Sequence, residues 1–148
     1  MSTRADRYTQ IQKIPDLYSD FFDDLTPHPV TKDLMRVRND QSVKQSVKNL
    51  VLTNIGERLF QPTIGSTVNG SLFEPNDAFL ADDLKSSIRN VIESNEPRVT
   101  LIDILVSPQA DEVSVNVTII FALINNMQPQ SLDIILRSCL LYTSPSPR

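Results

Sequence analysis

The sequence predicts an α+β domain, with two main helices packed on one face of a small, mostly antiparallel β-sheet that ends in a C-terminal strand meander. Three observations carry that expectation. Two stretches space their apolar residues by three and four, as one face of a helix does. A later stretch alternates Val113, Val115, Val117, Ile119, Phe121 and Leu123 with Ser114, Asn116 and Thr118, the two-residue period of a strand. The helical stretches come first and the strands last, an order that gathers the helices on one side of an antiparallel sheet.

Each element follows in turn. Residues 1–14 are polar and weakly patterned, and are expected to form a flexible arm before a single domain over residues 15–137. Tyr18 to Leu25 has apolar residues at helical spacing, but Thr26-Pro27-His28-Pro29 stops a helix at once, so an extended segment fits equally well. Asp33 to Arg38 reads as a short strand. Asn39 or Asp40 can cap the next helix by accepting a first-turn N–H. Val43, Val47, Leu50, Val51 and Ile55 give its buried face, Lys44, Gln45 and Lys48 its outer face, and Gly56 its end. From Glu57 to Asn76, Pro62, Gly65, Gly70 and Pro75 imply mostly loop, anchored by Leu59, Phe60, Leu72 and Phe73.

The second helix is expected over Asp77–Asn95, a rod of about 28 Å, with Leu80, Leu84, Ile88, Val91 and Ile92 as its buried stripe and Pro97 as its stop. Val99–Val106 is apolar on both faces, as in a central strand covered on two sides. A turn at Ser107–Asp111 leads into the alternating strand. Asn125–Gln130 turns the chain again, and Leu132, Ile134 and Leu136 mark the last strand.

Composition narrows the function classes. A chain of 148 residues with 40% hydrophobic content can build a real core, and 6% aromatic content without tryptophan rests that core on Val, Ile and Leu. Lys and Arg number 14 against 18 Asp and Glu, a net charge of −4, which argues against a nucleic-acid binder needing a clustered basic face. No apolar run approaches the about 18–20 residues of a membrane span, and the N-terminus lacks the apolar core of a secretory signal. These features read as a soluble cytoplasmic protein. Residues 138–148 share nothing with the strand before them. The string Leu140-Leu141-Tyr142-Thr143-Ser144-Pro145-Ser146-Pro147-Arg148 resembles translated sequencing-adaptor read-through, with an ordinary disordered tail as the alternative. Cys139, the single cysteine, lies in it and is not read as a functional thiol.

The sharpest local feature is Glu96-Pro97-Arg98, a charged pair pinned by proline where the second helix gives way to a strand. Arg98 offers a planar two-pronged donor to Glu96 or to a partner's carboxylate. The pair therefore either staples helix to strand or grips another molecule. If it is buried in a complex, removing one member costs about 3–5 kcal/mol. Gly56-Glu57-Arg58 is a second candidate, readable as a helix end with a solvated pair or, through Arg58, as a brace for the long loop. The strands Val113–Leu123 and Leu132–Leu136 are long, apolar and short of lysine, so an open margin there would accept a strand from another chain.

Catalysis and cofactors find less support. Glycoside hydrolysis needs two carboxylates facing one substrate. Asp23-Asp24 and Asp82-Asp83 are adjacent pairs, and neighbours on a helix diverge by about 100°; Glu57 and Glu74 share a loop. His28, the only histidine, is flanked by prolines without the further His or Cys ligands of a metal site. Gly56, Gly65 and Gly70 are too far apart for a phosphate loop. No cofactor, metal, nucleic acid or membrane is expected.

Several segments together, in this order, carry a resemblance: Tyr18-Ser19-Asp20-Phe21-Phe22, Val43 to Leu50, Thr53-Asn54-Ile55-Gly56-Glu57-Arg58-Leu59-Phe60-Gln61-Pro62, Gly65-Ser66, Leu72-Phe73-Glu74 and Glu96-Pro97-Arg98-Val99. They resemble the contractile-phage baseplate wedge family, the gene product twenty-five or "lysozyme-like" family, over about residues 15–137. The resemblance implies a non-enzymatic structural subunit of the virion, assembled in the host cytoplasm and placed where the wedge meets the tail tube and the sheath begins. It further implies that the Glu96-Pro97-Arg98 corner seats on a helical bundle of other wedge subunits. It also implies that the C-terminal strands template the tail sheath protein by shared β-structure. A type VI secretion baseplate subunit, a stress-response anti-adaptor of the same fold and a peptidoglycan hydrolase are the alternatives.

Overall fold

The computed structural model describes residues 16–72, 79–108 and 114–137. The arm, the loop residues Phe73, Glu74 and Pro75, Val113 of the alternating strand and the C-terminal string lie outside them. The chain runs through a short antiparallel hairpin, β1 (Ser19–Phe21) and β2 (Arg36–Arg38), then α1 (Asp40–Leu52), a single turn α2 (Val68–Ser71) and α3 (Leu80–Asn95). Three long strands follow: β3 (Val99–Pro108), β4 (Ser114–Leu123) and β5 (Asn126–Arg137). They form an antiparallel sheet in the order β3-β4-β5. This is the expected α+β arrangement.

One apolar core joins the layers. Val43, Val47 and Val51 of α1 and Leu84, Ile88 and Ile92 of α3 pack with Ile104 of β3, Val117, Ile119 and Phe121 of β4, and Ile134 and Leu136 of β5. The helical stripes and the β4 alternation therefore fall on the core as their periods require. Ser66, also buried, donates its hydroxyl to the Val51 carbonyl at 2.6 Å and so ties the long loop to the end of α1.

Several expectations are corrected. Asn39 does not cap α1; it has a φ of 49°, and no side-chain cap bond is made there. Its Oδ1 instead accepts the Leu17 N–H at 2.9 Å, holding the hairpin. The helix stops at Leu52, with the Thr53 hydroxyl and N–H both bonded to the Asn49 carbonyl. Gly56 serves the following turn at φ 92°, where its N–H meets the Pro62 carbonyl at 2.9 Å. Ile55 lies beyond the end of α1 and is exposed instead of on its buried face; Leu59 and Phe60 are exposed and anchor nothing, whereas Leu72 is buried.

β3 is an edge strand and not a central one. A register shift between Leu101 and Asp103 turns the adjacent Ile102 and Asp103 both outward, so an apolar run that looked two-sided covers the core on one face only. β4 takes the central place, paired on both sides, so it offers no margin of its own. The last turn is shorter than expected: Leu123 pairs with Asn126 across Ile124-Asn125, and Asn126–Gln130 belong to β5. Pro129 is tolerated within that strand because β5 lies at the sheet edge.

Candidate functional site

The corner after α3 is assembled from three parts of the chain. The helix ends as the Glu96 N–H bonds to the Ile92 carbonyl at 2.9 Å. Pro97 is exposed and cannot continue the helix, so the backbone swings into β3. Glu96 points inward and is 3% exposed. Arg98 meets it with both prongs: Nε donates to Oε1 at 2.5 Å and Nη2 to Oε2 at 2.6 Å. Oε2 also accepts the Ser46 hydroxyl of α1 at 2.7 Å. The pair is thus internal, and it links α3, β3 and α1 at one point.

Two opposing influences set the Glu96 charge. Burial alone raises its pKa. The hydrogen bonds from Arg98 and Ser46 and the charge of Arg98 outweigh burial, leaving the carboxyl below the usual range. Arg98 is held above its ordinary value chiefly by its hydrogen bond to Glu96. About a third of the Arg98 side chain remains exposed. Its guanidinium lies 5.2 Å from the centre of the Tyr18 ring.

A shallow cleft of about 360 Å³ opens beside this pair, lined among others by Asp20 of β1, Asn49 and Thr53 at the end of α1, Arg58, Glu96 and Arg98. The structure therefore brings Arg58 to the same surface as the corner. Glu57 does something else: its carboxylate accepts the Asn54 N–H and side-chain amide, each at 2.8 Å, and closes the turn. Those bonds lower its pKa, the backbone bond most. Tyr18, Ser46 and Asp20 were not singled out as site residues. Tyr18 and Asp20 stand in the recognisable Tyr18–Phe22 segment, but nothing in the sequence showed that this segment folds back over the corner.

The remaining candidates have ordinary places. The His28 ring nitrogen accepts the N–H groups of Val30 and Thr31 at 3.3 Å, shaping a turn. Asp23 accepts an amide bond from Asn49 at 3.0 Å, fastening the hairpin to α1. Glu74 lies outside the described residues. Among the described residues, no cluster of His, Cys, Asp or Glu is grouped to hold a metal ion. No described helix is long and apolar enough to cross a membrane.

The fold is shared with a tail-baseplate component. A chain of the anti-feeding prophage baseplate superposes with a TM-score of 0.59 at 18% identity, covering 84% of this chain and 89% of that one. A candidate tail lysozyme from Geobacter sulfurreducens superposes at 0.61 with 17% identity, over 66% of this chain and 88% of its own. At the level of sequence, residues 37–128 match the family model of baseplate wedge protein gp25, and the chain belongs to that family. It is 31% identical over 95 residues to the baseplate wedge protein gp25 of Enterobacteria phage T4, covering 64% of this chain and 72% of that protein. A member of this family is a structural baseplate component, working in association with other components of the tail particle.

Proposed function

We propose that this protein is a rigid connector in a phage tail baseplate wedge, docking through the Glu96-Pro97-Arg98 corner onto helices of other wedge subunits and offering its β-sheet margin to the tail sheath protein. The observation that carries the reading is the corner itself. A carboxylate fixed by three hydrogen bonds from two side chains holds a partly exposed arginine in one place, and a pre-organised donor of that kind loses little entropy when it meets a partner. Arg58, on the same cleft, extends the docking surface.

The second half of the reading rests on β5. It is a 12-residue strand at the sheet edge, and among the described residues no further strand pairs with its outer side. Unpaired N–H and C=O groups along such a margin accept an extended segment from another chain. The role is structural and not enzymatic, and the tail tube is a neighbour through the assembled wedge.

Co-expression with the remaining wedge subunits of the same phage tests the docking. Changing Glu96→Gln and Arg98→Gln together removes the charges without stranding either one. This double variant is expected to stay folded and to enter the wedge complex much more weakly, with measurable residual binding. Unimpaired incorporation of a folded double variant refutes the docking role.

A further inference from the structure

We propose that Tyr18 is the positioning residue that fixes the plane of the Arg98 guanidinium for docking; this rests on the corner being a docking surface, as argued above. Two parallel bonds to the Glu96 carboxylate fix where the guanidinium sits. They leave it free to tilt about the line joining the two groups. A ring on one face removes that tilt, and the Tyr18 ring lies there, 5.2 Å from the guanidinium carbon. The outer edge, with Nη1, is then presented in a single direction.

Tyr18 is itself held at three points, one of them on its backbone. Its hydroxyl accepts the side-chain amide of Asn125, in the β4–β5 turn, at 2.7 Å. Its carbonyl accepts the Asn39 N–H at 2.8 Å. The ring packs partly buried against the core. Asn39, Arg98 and Asn125 are distant in sequence, and their convergence makes the tyrosine a fixed platform. Asp20, two residues on in β1, lines the cleft. The hairpin thus carries the ring to the corner and supplies one wall of the cleft.

Tyr18→Phe keeps the ring and loses the hydroxyl; Tyr18→Leu fills much of the space without a π face. Each variant is measured for binding to the purified complex of the remaining wedge subunits of the same phage, and by the NMR signal of the Arg98 Nε–H. Tyr18→Phe is expected to bind within about twofold of wild type and Tyr18→Leu about five- to tenfold more weakly, the size of a partly desolvated cation–π contact. The Arg98 signal is expected to move in Tyr18→Leu and not in Tyr18→Phe. Adding Tyr18→Leu to the Glu96→Gln, Arg98→Gln background is expected to weaken binding no further.

Equal losses in the two tyrosine variants, or a Tyr18→Leu loss that persists without Arg98, would overturn the proposal and make the residue a plain hairpin anchor. Wild-type binding by Tyr18→Leu, with the double corner variant impaired, overturns it while leaving the docking role standing. Wild-type binding by the double corner variant removes the docking role itself. The proposal as stated then falls with it, and the Arg98 signal shows whether the ring still orients the guanidinium.

Discussion

The hydroxyl of Ser46 donates to the carboxylate of Glu96 at 2.7 Å, joining the middle of α1 to the end of α3 across 50 positions of sequence. That bond and the two from Arg98 make Glu96 the shared point of two helices and a strand, and the pair is unequal as a result. Arg98→Ala strands a carboxylate that is 3% exposed, at an expected cost of about 3 kcal/mol at neutral pH. Glu96→Ala leaves an arginine with a third of its surface already in water, and about 1.5 kcal/mol is expected. Urea unfolding of the two variants measures the order. A larger loss for Glu96→Ala would contradict this account of the corner.

The same bonds make stability depend on pH. Burial raises the Glu96 pKa, but the contributions of Arg98 and Ser46 outweigh it and the folded value lies below the unfolded one. The stabilisation is therefore present above the ordinary carboxylate range, and it is lost as pH falls through the lowered folded value. Glu57, also lowered, acts in the same direction. Unfolding midpoints followed from pH 7 to well below about pH 4 are expected to fall less steeply for Glu96→Gln than for wild type, the difference opening below the ordinary carboxylate range. An identical slope would mean that Glu96 is not held below its ordinary value.

Two glycines in the same loop should respond very differently to substitution. A Cβ on Gly65 would meet the Asn54 carbonyl carbon and oxygen at 2.7 Å, at a φ of +148°. Neither backbone can retreat, because the Ser66 N–H bonds to the Thr53 carbonyl at 2.7 Å. Gly65→Ala is expected to destabilise by more than about 2 kcal/mol. At Gly56 nothing lies within 4 Å and only its φ of +92° opposes a side chain, for about 1 kcal/mol. Thermal unfolding of both variants separates a steric cost from a purely conformational one.

Where side chains repeat, the sequence was readable. Val43, Val47 and Val51, the stripe from Leu84 to Ile92, and the alternation through Phe121 each fall on the core because burial and period agree. The Glu96-Pro97-Arg98 corner was legible as well, since proline and a charge pair mark it directly. What could not be read was pairing at a distance. Central and edge strands differ by their neighbours, and the bulge at Ile102 turned an edge strand into a seemingly two-sided run. Asn39 offered the right chemistry for a cap, but its Oδ1 went to Leu17 in the hairpin. Tyr18 reached the corner only because β1 and β2 fold back over it.

Leu59 and Phe60 show the same limit in a loop, where no period separates an anchor from a projection. They are 91% and 96% exposed, at the outer end of a turn closed by Glu57 and by the Gly56–Pro62 bond. Side chains with so little buried area contribute almost nothing to folding. Leu59→Ser with Phe60→Ser is therefore expected to change the unfolding free energy by less than about 0.5 kcal/mol, while lowering the exposed apolar area that favours self-association. Urea unfolding tests the first part, and light scattering against concentration tests the second. A loss of more than about 1 kcal/mol would show that these residues pack against the domain in solution, and the braced turn would then be a core element instead of a projection.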